Sequence, residues 1–97
     1  MPYTVDFDPQ AVADLKRLRA FARTAVVDTV ERVLTVSPTQ TGQSRIKRLR
    51  GLDRPQYRLR VDEFRVFYDV EGDLVYVLRV LAKSDVDGYL KEMGYEA

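Results

Sequence analysis

Apolar positions alternate at the start of the chain and again through its second half, and recur every third or fourth residue between. Tyr3, Val5 and Phe7 alternate with Thr4 and Asp6, which predicts a short strand with one buried face. Asp8-Pro9 follows, with Asp8 suited to capping a helix and Pro9 to its first position. Val12, Leu15 and Leu18 then stand at helical spacing, with Lys16, Arg17 and Arg19 outside. A break near Arg19-Ala20 leads to a second helix from about Phe21 to Val36, whose stripe is Ala22, Val26, Val30, Val33 and Leu34. A hairpin of two short helices cannot hide both stripes, so it needs a sheet to lie on.

Ser37 to Ser44 lacks periodicity and reads as a loop. Three strands follow. Gln56–Val61 puts Tyr57, Leu59 and Val61 on one face and Arg58 and Arg60 on the other. Phe64–Val70 sets Phe64, Val66, Tyr68 and Val70 against Arg65, Phe67 and Asp69, so Tyr68 belongs to the core. Leu74–Leu81 sets Leu74, Tyr76, Leu78 and Val80 against Val75, Val77, Arg79 and Leu81. A two-residue turn at Asp62-Glu63 pairs Val61 with Phe64 and places Arg60 opposite Arg65. A three-residue turn at Glu71-Gly72-Asp73 pairs Val70 with Leu74 and places Arg65 opposite Arg79. The expected product is a row Arg60–Arg65–Arg79 on the sheet face away from the helices. Ser84-Asp85-Val86-Asp87 then opens a short helix carrying Tyr89, Leu90 and Met93 and ending near Gly94. The whole is one α+β domain over residues 1–97: an N-terminal strand, a two-helix hairpin on one face of a twisted antiparallel sheet of about four strands, and a short C-terminal helix.

Charge changes this picture locally. The chain carries +1 overall, yet residues 45–65 hold eight basic groups against three acidic ones. Residues 1–44 are neutral and 66–97 carry −4, so a basic middle lies between a neutral front and an acidic tail. Such asymmetry points to a polyanionic partner. Histidine and cysteine are both absent, which removes the usual general base and the usual metal ligands; no metal and no cofactor is expected. The missing cysteines suit a reducing cytoplasm, and no segment reads as a membrane span or a signal peptide, so the expected setting is soluble and cytoplasmic.

Arg58, Arg60, Arg65 and Arg79 share a predicted face, with Lys83 just past the strand end and Tyr89 about a helical turn later. Guanidinium groups fork onto phosphate oxygens and stabilise the added charge of a pentacoordinate transition state. The competing interpretation is a solvated face salt-bridged to Asp62, Glu63 and Asp69. Like charges opposite one another destabilise a sheet, so the predicted row favours binding. For Arg45, Lys47, Arg48 and Arg50 binding and solvation are equally good readings, and Tyr89 serves equally well as packing or as a base-stacking aromatic.

The segment K-R-L-R-G-L, followed by Y-R-L-R-V-D-E-F-R-V-F-Y-D-V, closely resembles the RelE/ParE superfamily of toxin–antitoxin toxins, and the resemblance runs from the opening Y-T-V-D-F-D to Tyr89. At the RelE end it implies a bacterial or archaeal mRNA interferase. Such an enzyme cuts messenger RNA in the ribosomal A site by attack of the RNA's own 2′-hydroxyl on the adjacent phosphate, without metal. On that pattern Arg65 stabilises the transition state, Lys83 protonates the leaving oxygen and Tyr89 orients the substrate. Arg58 and Arg60 stand where RelE has lysines, and Arg50 matches a residue contacting ribosomal RNA or the substrate backbone; Arg45, Lys47, Arg48 and Arg79 extend the contact. No carboxylate or histidine stands at an obvious base position, so the general base is unassigned. The resemblance also implies a cognate antitoxin as partner, beside the ribosome and mRNA. Two alternatives remain open: a ParE-like toxin directed at DNA gyrase, and a catalytically degenerate toxin that only binds its antitoxin.

Overall fold

Local sequence sets the entry of the first helix. In the computed structural model, which describes residues 2–42 and 45–95, strand β1 (Thr4–Phe7) runs into α1 (Pro9–Arg17). Asp8 accepts a hydrogen bond from the Gln10 amide at 2.9 Å, and Pro9 occupies the first turn, where a missing N–H costs nothing. The amide donor, and then the Tyr76 hydroxyl bonded to it, hold the Asp8 carboxyl below its ordinary pKa. Leu18 and Arg19 are extended, which separates α1 from α2 (Ala20–Leu34). Arg23 closes this corner by donating from Nε to the Leu15 carbonyl, which also accepts the Leu18 cap amide, and from Nη2 to the Leu18 carbonyl, adding partners at the end of α1.

Strands β2 (Ile46–Arg48), β3 (Tyr57–Val61), β4 (Phe64–Glu71) and β5 (Leu74–Ala82) follow. A 3₁₀ turn, Lys83–Asp85, then enters α3 (Val86–Glu92). The sheet order is β1-β5-β4-β3-β2, with β1 parallel to β5 and the other neighbours antiparallel. The fold is the α+β arrangement expected. It has five strands because the basic segment at Ile46–Arg48, which has no alternating apolar pattern, joins the edge beside β3. The loop predicted at 37–44 is irregular where described, and its last two positions lie outside the described residues.

The main core joins Val26, Val30 and Leu34 of α2, with Ala11 of α1, to Leu59, Val61, Val66, Tyr68, Val75, Val77 and Val80 of the sheet. Tyr68 lies wholly within it, stacked on Tyr57 at 5.4 Å, and its hydroxyl donates to the Pro38 carbonyl at 2.6 Å. Burial raises the Tyr68 pKa.

Several expectations are corrected. In α1 the buried positions are Ala11 and Asp14, while Val12 is 38% exposed; the helix is rolled so that a carboxylate faces inward. The second hairpin turns through Gly72-Asp73 alone, pairing Glu71 with Leu74 and Val70 with Val75; Gly72, at φ 60, takes the left-handed conformation this short turn needs. The core face of β5 accordingly begins with Val75 and Val77, not Leu74 and Tyr76. A bulge then inserts Leu78, since Phe67 lies opposite Arg79 but Tyr68 opposite Val77, and parity flips so that Val80 returns to the core. Third, Arg65 lies opposite Leu81 and not opposite Arg79. Finally, the sheet face away from α1 and α2 is partly covered. Tyr89 of α3 packs there with Phe67 and Leu81, joined by Leu49, Val86 and Leu90, as a second small core. That helix is entered through Asp85 rather than through a serine cap at Ser84, and Gly94, at φ 98, follows its end.

Candidate nucleic-acid interface

Register places two transverse rows on the second face of the sheet. Lys47, Arg58, Phe67 and Arg79 form one, each opposite the next. The other begins at Arg45, whose carbonyl accepts the Arg60 amide at 2.9 Å, and continues through Arg60 and Arg65 to Leu81. The predicted Arg60–Arg65 pairing is present. It sits next to the β3–β4 turn, where Asp62 takes a φ of 51, a conformation aspartate tolerates better than most residues. Arg65 Nη1 donates to the carbonyls of Asp62 at 3.0 Å and Phe64 at 2.9 Å, so the turn itself aims this guanidinium.

The Lys83 amide donates to the Glu63 carbonyl at 2.8 Å, tying the 3₁₀ turn to the same hairpin end. That bond brings the exposed Lys83 side chain beside residues far from it in sequence. The result is a cleft of about 660 Å³ lined by Arg45, Arg60, Arg65 and Lys83, by Arg32 and Thr29 of α2, and by Val61, Asp62 and Glu63 of the turn. Five cations therefore meet two carboxylates. Among the described residues Arg32, Arg45, Arg65 and Lys83 form no ion pair. Arg58, in the neighbouring row on β3, is half-buried. Burial, and then the nearby charges of Arg65 and Arg60, lower its pKa, and its buried Nε has no hydrogen-bond partner among the described residues. Packing cations this way costs stability unless something anionic offsets them.

Arg79 is removed from this group. Its Nε donates to Asp14 Oδ2 at 2.8 Å and its Nη2 to Asp14 Oδ1 at 3.0 Å, and Asp14 also accepts the Val80 amide at 2.9 Å. The bulge at Leu78 and the inward roll of α1 make this fork possible. The guanidinium then lies 5.6 Å from the centre of the Tyr89 ring, which in turn sits 5.0 Å from Phe67. Tyr89 is only 8% exposed, and burial pushes its hydroxyl up to about 12. Its ring is a packing element that fastens α3 to the sheet.

The basic run 45–50 is divided by the sheet. Arg45 reaches the cleft and Lys47 lies opposite Arg58. Arg48 instead stacks over the Tyr57 ring at 5.1 Å and donates to the Gln56 carbonyl, while Arg50 is exposed beyond the end of β2. Asp69, the carboxylate considered on this face, is engaged by Arg54 at 2.7 Å and by the Gln56 amide at 2.8 Å. Sequence reasoning passed over Arg32 and Asp14. Asp14 did carry a signal, because Ala11, Asp14, Leu15 and Leu18 share one helical stripe and an aspartate there needs a partner. Arg32 carried none.

Comparison with known proteins adds a lineage to this geometry. A family model described as the ParE toxin of the type II toxin–antitoxin system parDE matches residues 5–86. Among solved structures, a chain of the toxin–antitoxin complex RelBE2 from Mycobacterium tuberculosis matches with TM-score 0.71 and 28% identity, over 84% of this chain and 99% of that one. A chain of the RelB–RelE complex from Methanococcus jannaschii matches with TM-score 0.64 and 25% identity, over 86% and 95%. The free Escherichia coli toxin RelE, in a mutant form, shares the fold with TM-score 0.68 at 24% identity, over 96% of this chain and 95% of that one. No curated protein matches the sequence.

Proposed function

The chain belongs to the ParE toxin family of type II toxin–antitoxin systems, within the RelE/ParE superfamily, and from that premise we propose that it is a metal-independent endoribonuclease acting on ribosome-bound messenger RNA. One observation carries the reading: Arg45, Arg60, Arg65 and Lys83, drawn from four separate segments, converge on one cleft, and among the described residues Arg45, Arg65 and Lys83 form no ion pair. A phosphodiester supplies the missing charge. Arg65, aimed by two backbone carbonyls, is the fork that meets the phosphate as it gains charge during 2′-hydroxyl attack. Arg60 stands beside it as a second donor. Lys83 is the acid toward the 5′-oxygen, since an ammonium gives up a proton far more readily than a guanidinium. Arg58 adds positive potential from the neighbouring row. The cleft contributes no histidine, so the 2′-hydroxyl proton passes to solvent water as the 5′-oxygen gains one from Lys83, and alignment of the attack falls to the way the RNA is bent and held on the ribosome.

A cognate antitoxin is the expected partner, as in the RelB–RelE complexes of similar fold. An acidic wrapping segment would be steered to the same cations. The ParE label of the matching family favours a second reading, in which the chain binds DNA gyrase and cuts nothing. Induced expression with primer extension on translated messages separates the two. Cuts confined to translated regions, and lost in Arg65→Ala and Lys83→Ala, support the nuclease; growth arrest with intact messages and inhibited supercoiling supports the gyrase reading.

A further inference from the structure

The cleft does not end on the sheet. Arg32 belongs to α2, on the opposite side of the sheet from Lys83, yet both line the same cavity, which therefore passes around the sheet end beside the Asp62-Glu63 turn. Arg45, just before β2 and bonded through its carbonyl to the Arg60 amide, lines the cavity too. Asp28, one turn earlier on α2, is within helical reach of Arg32, but the two form no ion pair among the described residues. Arg32 is exposed and lines a space already crowded with positive charge. A single phosphate at Arg60, Arg65 and Lys83 leaves the two outer cations unanswered. The 660 Å³ of the cleft falls within the span of ligand pockets, about 300–1,000 Å³, and exceeds what one phosphate group fills.

We propose that Arg32, with Arg45, forms a second phosphate subsite, holding the nucleotide next to the scissile linkage as single-stranded RNA turns from the sheet face onto the helix side. The inference rests on the nuclease reading and deepens it, assigning α2 a substrate-positioning role. A guanidinium there adds affinity and alignment for the strand but touches no reacting atom.

The test is binding of the full chain to a short, fully 2′-O-methylated single-stranded RNA, which cannot undergo internal attack, measured across a salt series. The wild type binds with an affinity that falls steeply with salt. Arg32→Ala weakens binding about tenfold and lowers the slope of log K against log salt by about 0.7, the value for one phosphate contact on a single strand. Arg32→Lys restores the slope, and Lys91→Ala on α3 leaves both quantities unchanged. In ribosome cleavage assays Arg32→Ala raises KM with kcat preserved, whereas Arg65→Ala lowers kcat. If the wild type binds the RNA but Arg32→Ala keeps wild-type affinity and slope, the second subsite is overturned and the nuclease reading stands. If the wild type itself does not bind the RNA, the phosphodiester reading falls and takes the subsite with it.

Discussion

Arg79 and Arg65 lie on the same face of neighbouring strands, and the structure treats them in opposite ways. Arg79 meets a carboxylate that is almost sealed, with the Asp14 side chain 4% exposed and its own 23% exposed, and it is spent on joining α1, β5 and α3. Among the described residues Arg65 forms no ion pair; it donates to two backbone carbonyls and shares its cleft with four other cations. The difference is not in the residue type or in the strand, but in whether a helix delivers an anion to that spot. A guanidinium with a buried partner is structure; one held among like charges is a binding group awaiting an anion from outside.

The sharpest way to break this contrast is Asp14→Ala. It strands Arg79 and leaves the Val80 amide without its acceptor, so it should cost about 3–5 kcal/mol, the loss seen when one partner of a buried pair is removed. Thermal unfolding with and without the change measures this, and a midpoint within a few degrees of wild type would show that Arg79 is not held as described. Arg65→Ala should do the reverse. Cleavage of ribosome-bound message should fall about 10²–10³-fold, as for loss of one transition-state donor, while the melting temperature holds or rises as cation repulsion is relieved. A large loss of stability instead would class Arg65 with Arg79.

Alkaline titration probes the sealed side more gently. Burial raises the Tyr89 hydroxyl from an ordinary value near 10 to about 12. A group raised in the folded state contributes stability that is complete below its unfolded pKa and is lost as pH climbs from about 10 to about 12. Tyr89→Phe should flatten the decline in stability across that window and leave the melting temperature at neutral pH nearly unchanged; an identical decline in both proteins would argue against this burial. The smallest effect is expected from Arg54→Ala. Its bond to Asp69 is short, but the arginine is 55% exposed, so water and salt screen the pair and the change in stability should stay within about 1 kcal/mol.

These contrasts show where sequence pattern stopped being sufficient. The two helices, the three central strands and the Arg60–Arg65 pairing were legible because each follows from local periodicity and a two-residue turn. The second hairpin was misread because a shorter turn and a bulge produce nearly the same apolar alternation as a longer turn without one, and only cross-strand pairing tells them apart. Strand β2 escaped because an edge strand needs hydrogen bonds from one neighbour and no apolar alternation. The overlap of α3 with the second face was hidden for a related reason: Tyr89, Phe67 and Leu81 look unremarkable until they meet.

By itself, then, the sequence determined the α+β class, the two helices and three central strands, much of the main core and the presence of a basic segment in the middle of the chain, since periodicity and charge are properties of neighbours along the chain. Only the tertiary structure decided which cations form ion pairs among the described residues and which gather in the cleft. That depends on Asp14 of α1 reaching Arg79, on Glu63 drawing Lys83 to the hairpin end, and on Arg32 arriving from the far side of the sheet. Charge acts through distance in space, and no spacing along the chain reports a distance that folding alone creates.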